Sequence, residues 1–389
     1  MSQPNWRIRL SRPRIDEATI ERVVSVLRGN DLSLGPQLAS FERAFARKIG
    51  AAHAVAVSSG TAGLHLAVRI LGLGPGDEVV TTPFSFIASA NCLLFEGAKP
   101  VFADIDPDTF TLDVAAARAA VTSKTRGILP VHVFGNPVDM DRVLDLARRF
   151  GLAVIEDACE AVGGSYRGKA LGTWGDFGIF GFYPNKQMTC GEGGMVVTDR
   201  LDCADWLQSL RNQGRSIAGD GSFTELGYNY RLSDVAAAIG EGQLEALDDL
   251  LDARRERERR YQHLLSGVEE VRVPPIPEGR SPFVFIVQAS CQELRDRIQE
   301  DLACRSIQSA IYFRPIHLES FYQKRFGFKE GQFPRTEHAG RTCLAIPFHP
   351  TISEVEQAEV AEAIRTSATF WLRDRAQAVG MEQQAVRAI

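Results

Sequence analysis

HAVAVSSGTAGLHLAV, residues 53–68, changes its period halfway through. The run from His53 to Val57 is short, apolar and β-branched, as suits a strand covered on both faces. A turn of small residues follows, and from Thr61 to Gly72 the apolar residues fall at helical spacing. A strand that ends in such a turn and opens a helix presents backbone N–H groups to an anion, with the helix dipole behind them. A Ser or Thr in the turn serves equally well as a plain N-cap, so the motif alone leaves both readings open.

The same alternation repeats outward from this stretch. EVVTTPF precedes a helical segment from Ile87 to Phe95, PVFADI one from Leu112 to Val121, and RGILPVHVFG one from Met140 to Phe150; LAVIEDA, FGIFGFY and GMVVTD add further strands. Apolar strands separated by helices predict an α/β fold with a parallel sheet covered on both sides. After Ser233 a long helical run, DVAAAIGEGQLEALDDLLDARRERERRYQHLL, leads away from that sheet. It is expected to link a large domain over residues 1–245, with an N-terminal arm, to a small α+β domain over 246–389. The second domain holds the strand VFIVQAS, the IYFRPIHL turn and a helix from about Glu354 to Ile364; the polar tail from Trp371 is given no role.

Composition narrows the function classes. Hydrophobic residues at 44% and charged residues at 24% over 389 positions describe a globular chain with room for two cores. A net formal charge of −5, with Arg254 to Arg260 as the one basic-rich run, gives no field for a polyanion, so nucleic acid is excluded as a partner. That run alternates in sign along its helix and predicts a solvated, salt-bridged face. Seven scattered cysteines without a CxxC pair point to reduced thiols and to no metal site. The N-terminus has no apolar signal core and no apolar run approaches ~18 residues, so a cytoplasmic protein without membrane contact is expected. Neither GxGxxG nor GxxxxGK[ST] occurs.

Three further stretches carry chemistry. In AVIEDACEAVGG, residues 153–164, Asp157 closes a strand and Glu160 stands three residues on. The pair reads either as a capping box or as a carboxylate buried to hold a positive partner, such as the protonated ring nitrogen of pyridoxal 5′-phosphate (PLP). In GFYPNKQMTCGEGG, residues 181–194, Lys186 lies between a proline-braced aromatic segment and a glycine cluster, where backbone must approach something closely. A lysine of pKa ~10.4 becomes a nucleophile when desolvated near cations, which suits a Schiff-base lysine. In LGYNYRLSDVAAAIG, residues 226–240, Asn229 and Arg231 precede a helix capped by Ser233; they read as a helix start or as a polar pair reaching a phosphate, in this or a neighbouring subunit.

In order along the chain, SSGTAGLHLA, TTPFSFIASAN, DIDPDTFTLD, PVHVFG, VIEDACEAVGG, FYPNKQMTCGEGGMVVTD, LRNQG and NYRLSDVAAAIG resemble the DegT (StrS-like) family of PLP-dependent sugar aminotransferases, from about Ile8 to Ile364. The resemblance implies the aspartate-aminotransferase fold, PLP fold type I: a large domain around a mostly parallel seven-stranded sheet, a small C-terminal α+β domain, and a homodimer with active sites shared between subunits. It implies Lys186 as the cofactor-bound lysine and proton shuttle, and Asp157 as the partner of the pyridinium nitrogen. Gly60, Thr61 and Ala62 match the phosphate turn, Phe86 the aromatic stacked on the ring, and Asn229 the residue reaching the neighbouring phosphate. Glu160 falls near the cofactor's O3′, as in perosamine-synthase-like members. His317 and Tyr312 match the substrate side loosely.

Two positions depart from the family. Gly181 replaces a serine that bonds the phosphate, a loss of roughly 0.5 to 1.5 kcal/mol that weakens the cup without abolishing it. Cys190 stands where Thr or Tyr is commoner. Dehydratase relatives carry His at the lysine position, so Lys186 argues for transamination. The implied reaction moves an amino group from L-glutamate, through pyridoxamine phosphate, to a nucleotide-linked keto-deoxysugar, with a 4-keto hexose favoured. A cyclitol or aminoshikimate-type ring is the alternative acceptor, and a PLP-binding regulator without turnover the alternative class. Sugar contacts are expected from the loops Asn30 to Pro36 and Ser216 to Glu225.

Overall fold

The computed structural model describes residues 6–387, with side chains to residue 377. Helices α1 (Glu17–Gly29) and α2 (Pro36–Ile49) precede the alternating region. There β1 (His53–Val57), α3 (Gly60–Ile70), β2 (Glu78–Thr81), α4 (Ala88–Phe95), β3 (Lys99–Phe102), α5 (Val114–Ala119), β4 (Thr125–Leu129), α6 (Met140–Phe150) and β5 (Ala153–Asp157) follow one another. A small hairpin of β6 (Ser165–Tyr166) and β7 (Lys169–Ala170) leads to β8 (Phe177–Gly181), β9 (Gly194–Thr198) and α7 (Leu201–Leu210). The long helical run forms α8 (Asp234–Glu245) and α9 (Leu247–Leu264). The C-terminal part adds β10 (Val271–Arg272), β11 (Phe285–Ala289), α10 (Gln292–Cys304), α11 (Ser320–Phe326), α12 (Pro334–Thr342), β12 (Cys343–Ile346) and α13 (Glu354–Arg387).

The large sheet has seven strands in the order β1-β9-β8-β5-β4-β2-β3. From β8 to β3 all pairs are parallel; β9 runs antiparallel to both β8 and β1. The expected α/β class with a mostly parallel seven-stranded sheet is therefore the observed one. Register fixes where its chemistry lies. Val57, the last residue of β1, pairs with Gly194 at the start of β9, and Gly194 pairs in turn with Gly181 at the end of β8. The ends of β1, β8 and β5 thus share one edge, where open α/β sheets hold their ligands. The close approach foreseen at the glycine cluster is between backbones: a Cβ on Gly194 would lie 2.5 Å from the carbonyl carbon of Ser59.

Helix α3 is buried over Ala62 to Val68, as its almost wholly apolar sequence requires, and it packs beneath the sheet. Its first turn is capped by Ser59, whose Oγ accepts the Ala62 N–H at 3.1 Å. The small sheet, β10-β11-β12, is antiparallel and carries its own core with α10 and α13. The N-terminal arm crosses to it: Ile8 is buried in that core and bridges Ile307.

Three expectations require correction. The helical run is broken at Ala246 between α8 and α9. The charged stretch of α9 is not wholly solvated: Arg254 and Glu258 retain only 2% and 6% exposure. They stand four apart, so both lie on one helix face, and that face is turned inward. Arg254 donates to the carbonyls of Lys186, Phe283 and Phe348, while Glu258 pairs with the buried Arg280. Finally, α13 continues to Arg387, because Ala368 and Trp371 extend the apolar stripe of Val360 and Ile364 at helical spacing against the small-sheet core. No helix among the described residues is long and apolar enough to cross a membrane.

Removing one member of a buried ion pair strands the other charge. Glu258→Ala is expected to lower unfolding free energy by about 3–5 kcal/mol in urea titration. Glu256→Ala, on the exposed face of the same helix, should leave the midpoint unchanged; equal effects would place Glu258 in solvent.

Candidate active site

A cavity of about 640 Å³ opens at the shared strand edge. Gly60 and Thr61 line it from the start of α3, Asp157 and Glu160 from the segment after β5, and Lys186 from the loop between β8 and β9. Phe86, Gly181 and Tyr312 complete the set of sequence-predicted residues that meet there.

Asp157 is buried and held at both oxygens. Oδ2 accepts the Ser89 hydroxyl at 2.7 Å and Oδ1 the Cys159 N–H at 3.1 Å. No helix starts after it, so the capping-box reading does not describe this pair. Glu160 accepts the Phe134 N–H on Oε2 at 2.8 Å; the left-handed backbone of Phe134 (φ 59°), in the PVHVFG motif, turns that N–H inward. Burial pushes the Glu160 carboxyl above the usual range, against the pull of Lys186 and of that N–H. His132 in the same motif is structural. Its Nδ1 accepts the Val138 N–H, so Nε2 carries the proton and donates to Glu156 at 3.0 Å.

The Lys186 Nζ lies 3.4 Å from Glu160 Oε1 and 4.3 Å from the Phe283 ring centroid. Its contacts are thus a carboxylate and an aromatic face, not the cationic surroundings expected from sequence. The clasp by Arg254 on the Lys186 carbonyl, at 3.1 Å, fixes the loop from behind. Phe86 is 61% exposed at the cavity mouth, so it is not a core residue.

Other expected residues fall elsewhere. The Ala62 N–H is already taken by Ser59 and Ala62 does not line the cavity, so the open donors of the turn belong to Gly60 and Thr61, for which no acceptor is found among the described residues. His317 is fully buried, bonded through Nε2 to Glu337 and packed on Phe333 in a turn that follows Pro315; it does not reach the cavity. Asn229 is exposed and outside the cavity of its own chain. The loops 30–36 and 216–225 do not line it either.

Sequence reasoning missed Ser89, Cys159, Asn185 and Phe283. Ser89 follows Phe86 by three residues, the spacing that puts both on one side of the α4 start. Asn185 donates to the Tyr312 hydroxyl at 3.3 Å, while its buried Oδ1 has no partner among the described residues. Unpaired N–H groups at a helix start, a buried carboxylate, an amine and an orphaned amide oxygen in one cavity form a donor set that fits PLP.

The family model of the DegT/DnrJ/EryC1/StrS aminotransferase family matches residues 13–365. The chain belongs to this family. It is accordingly a PLP-dependent aminotransferase of the sugar aminotransferase type. GDP-perosamine synthase of Caulobacter vibrioides is 38% identical over 364 residues, 92% of this chain and 97% of the relative. The spore coat polysaccharide biosynthesis protein SpsC of Bacillus subtilis is 37% identical over 371 residues, covering 91% and 95%. Among solved structures, S. venezuelae DesV, in complex with a ketimine intermediate, superposes with a TM-score of 0.85 at 35% identity, covering 90% of this chain and 94% of that one.

Family membership makes the glycine at 181 measurable. A Cβ there would sit 3.3 Å from the Cys159 Cβ and 3.4 Å from its Sγ, closer than side chains comfortably pack. Gly181→Ser alone is therefore expected to leave PLP affinity near wild type. With Cys159→Gly, which removes both contacted atoms, the added hydroxyl should tighten it roughly 2- to 12-fold, as one neutral hydrogen bond allows. Equal affinities for the single and double variants, read by absorbance titration of apoenzyme, would show that Cys159 does not limit the site.

Proposed function

We propose that this chain transfers an amino group from L-glutamate to the keto carbon of a nucleotide-linked keto-deoxysugar, with a 4-keto hexose as the favoured acceptor. The observation that carries this reading is the Lys186 amine standing in one cavity with the buried carboxylates of Asp157 and Glu160. The 38% identity to a GDP-perosamine synthase supports the acceptor class.

When bound, PLP supplies an electron sink that acidifies the carbon bearing the nitrogen. The chain's residues do the rest. The N–H groups of Gly60 and Thr61 hold the phosphate at the positive end of α3, and Gly181 borders that cup. Asp157, fixed by Ser89 and the Cys159 N–H, would face the ring nitrogen. Phe86 covers the ring, and Glu160, anchored by Phe134, faces the ring hydroxyl. The Lys186 amine takes the proton from the donor's α-carbon and returns it in the opposite sense to the acceptor. Tyr312, bonded to Asn185 at the cavity wall, offers the sugar a hydroxyl.

The reading includes a homodimer in which Asn229 reaches the phosphate of the partner subunit. Its support is a band of exposed apolar side chains, Leu32, Leu34, Ile217, Phe223 and Leu226, on the two loops that flank Asn229. The Ser33–Ser233 bridge ties the first loop to the Asn229 segment.

The visible spectrum of the PLP-loaded protein tests the donor half. L-Glutamate should abolish the cofactor's band in wild type and leave it in Lys186→Ala, whose turnover should fall by at least about 10²- to 10⁴-fold. An unchanged wild-type band removes glutamate as donor, and near wild-type turnover in the variant removes Lys186 from the mechanism. Nucleotide-linked keto sugars against free cyclitol ketones then separate the acceptors.

A further inference from the structure

The segment SSGTAGLHLAV carries one residue that the chemistry above leaves unused, His65. It is buried on α3, one turn below the phosphate-binding start of the helix. Its Nε2 lies 2.8 Å from Glu96 Oε1 and its Nδ1 3.0 Å from the Tyr230 hydroxyl. Glu96 also accepts the Tyr228 hydroxyl at 3.0 Å and Arg69 at 3.0 Å. Three donors on a half-buried carboxylate outweigh the burial that opposes its charge and hold Glu96 below the usual range. An ionised carboxylate only accepts, so His65 donates from Nε2 and its Nδ1 accepts from Tyr230.

The two tyrosines flank Asn229. Their backbone is extended: Tyr228 N–H donates to Leu210 O, Tyr230 N–H to Arg211 O, and Asn212 bridges Asn229. The tyrosine rings stack at 5.0 Å with planes 9° apart. In an extended chain successive side chains point to opposite faces, so fixing both tyrosines against His65 and Glu96 turns Asn229 outward. The Ser58 N–H, at the head of the phosphate turn, donates to Tyr230 O at 2.8 Å. One helix thus holds its own phosphate turn at its start and, a turn later, the bracket that presents Asn229.

We infer that His65 and Glu96 are positioning residues that act across the subunit interface, holding Asn229 in the orientation in which it meets the partner subunit's cofactor phosphate. Each site then depends on the His65 of the other chain. The inference rests on the dimeric reading of Asn229 given above.

Mixed dimers test it. Two differently tagged chains, one His65→Leu and one Lys186→Ala, are co-expressed, and the dimer carrying both tags is stripped and titrated with PLP. Borohydride reduction at each PLP concentration fixes the cofactor covalently only at an intact Lys186, so the cofactor retained after unfolding reports that site alone. That site lies in the His65→Leu chain and receives Asn229 from a chain whose His65 is intact. Its dissociation constant should equal wild type, while His65→Leu homodimers bind PLP on the order of tenfold more weakly, matching Asn229→Ala homodimers. Placing both substitutions in one chain, opposite a wild-type chain, should bring the weakness back. Tyr230→Phe, which removes one hydroxyl, repeats the series if His65→Leu does not fold. A mixed dimer as weak as the His65→Leu homodimer overturns the inference alone, because His65 then acts within its own subunit. A monomer in gel filtration, or Asn229→Ala dimers that bind as wild type, overturns it through the reading on which it rests.

Discussion

The backbone of β9 lies against the β1–α3 turn at a separation that only a residue without a side chain permits. Everything at the carboxyl edge is placed by that contact. Because Gly194 touches Ser59 and pairs with both Val57 and Gly181, the start of α3, the end of β8 and the entry to β9 become one rigid corner. The loop from Phe182 to Gly193 leaves and re-enters this corner, so Lys186 is brought back over the cavity by the register of three strands. Asp157 arrives from the next strand inward, through the parallel pairing of β5 with β8.

Within that corner the electrostatics are graded by depth and by partners. Asp157 is held by two hydrogen bonds; Glu160 receives one backbone donor and lies close to the amine, while burial works against its ionisation. Two carboxylates three residues apart thereby stand in different surroundings. Behind the amine, Arg254 gives its donors to carbonyls of three separate segments and joins the lysine loop to the small-sheet region.

The sequence was most readable where periodicity is imposed by burial. The strand–helix alternation from His53 onward gave the sheet, and the helix from Met140 to Phe150 has the expected ends, since an Asp cap and a terminal Gly mark them. Motif residues at strand ends converged on one cavity because the topology sends those ends to one edge. Orientation was less readable. Charge alternation in α9 states nothing about which face meets the protein, so Arg254 and Glu258 passed for solvated residues. A histidine after Pro315 carries no mark of the direction in which its turn closes, and Ala62 lost its expected role because Ser59 had taken its N–H. The sequence marks the N-terminal helices α1 and α2 only as an arm, and it ends α13 too early because Arg365, Thr366 and Ser367 mask the stripe that Ala368 and Trp371 continue.

The hydrogen bond from Arg254 to residue 186 ends on a main-chain carbonyl, and a carbonyl is the same whatever side chain hangs from its residue. The mooring of the loop is therefore independent of the chemistry displayed on it. A descendant of this chain could exchange the amine for another functional group and inherit the loop's position unchanged, so that a new reaction would need new substrate contacts but no new scaffold.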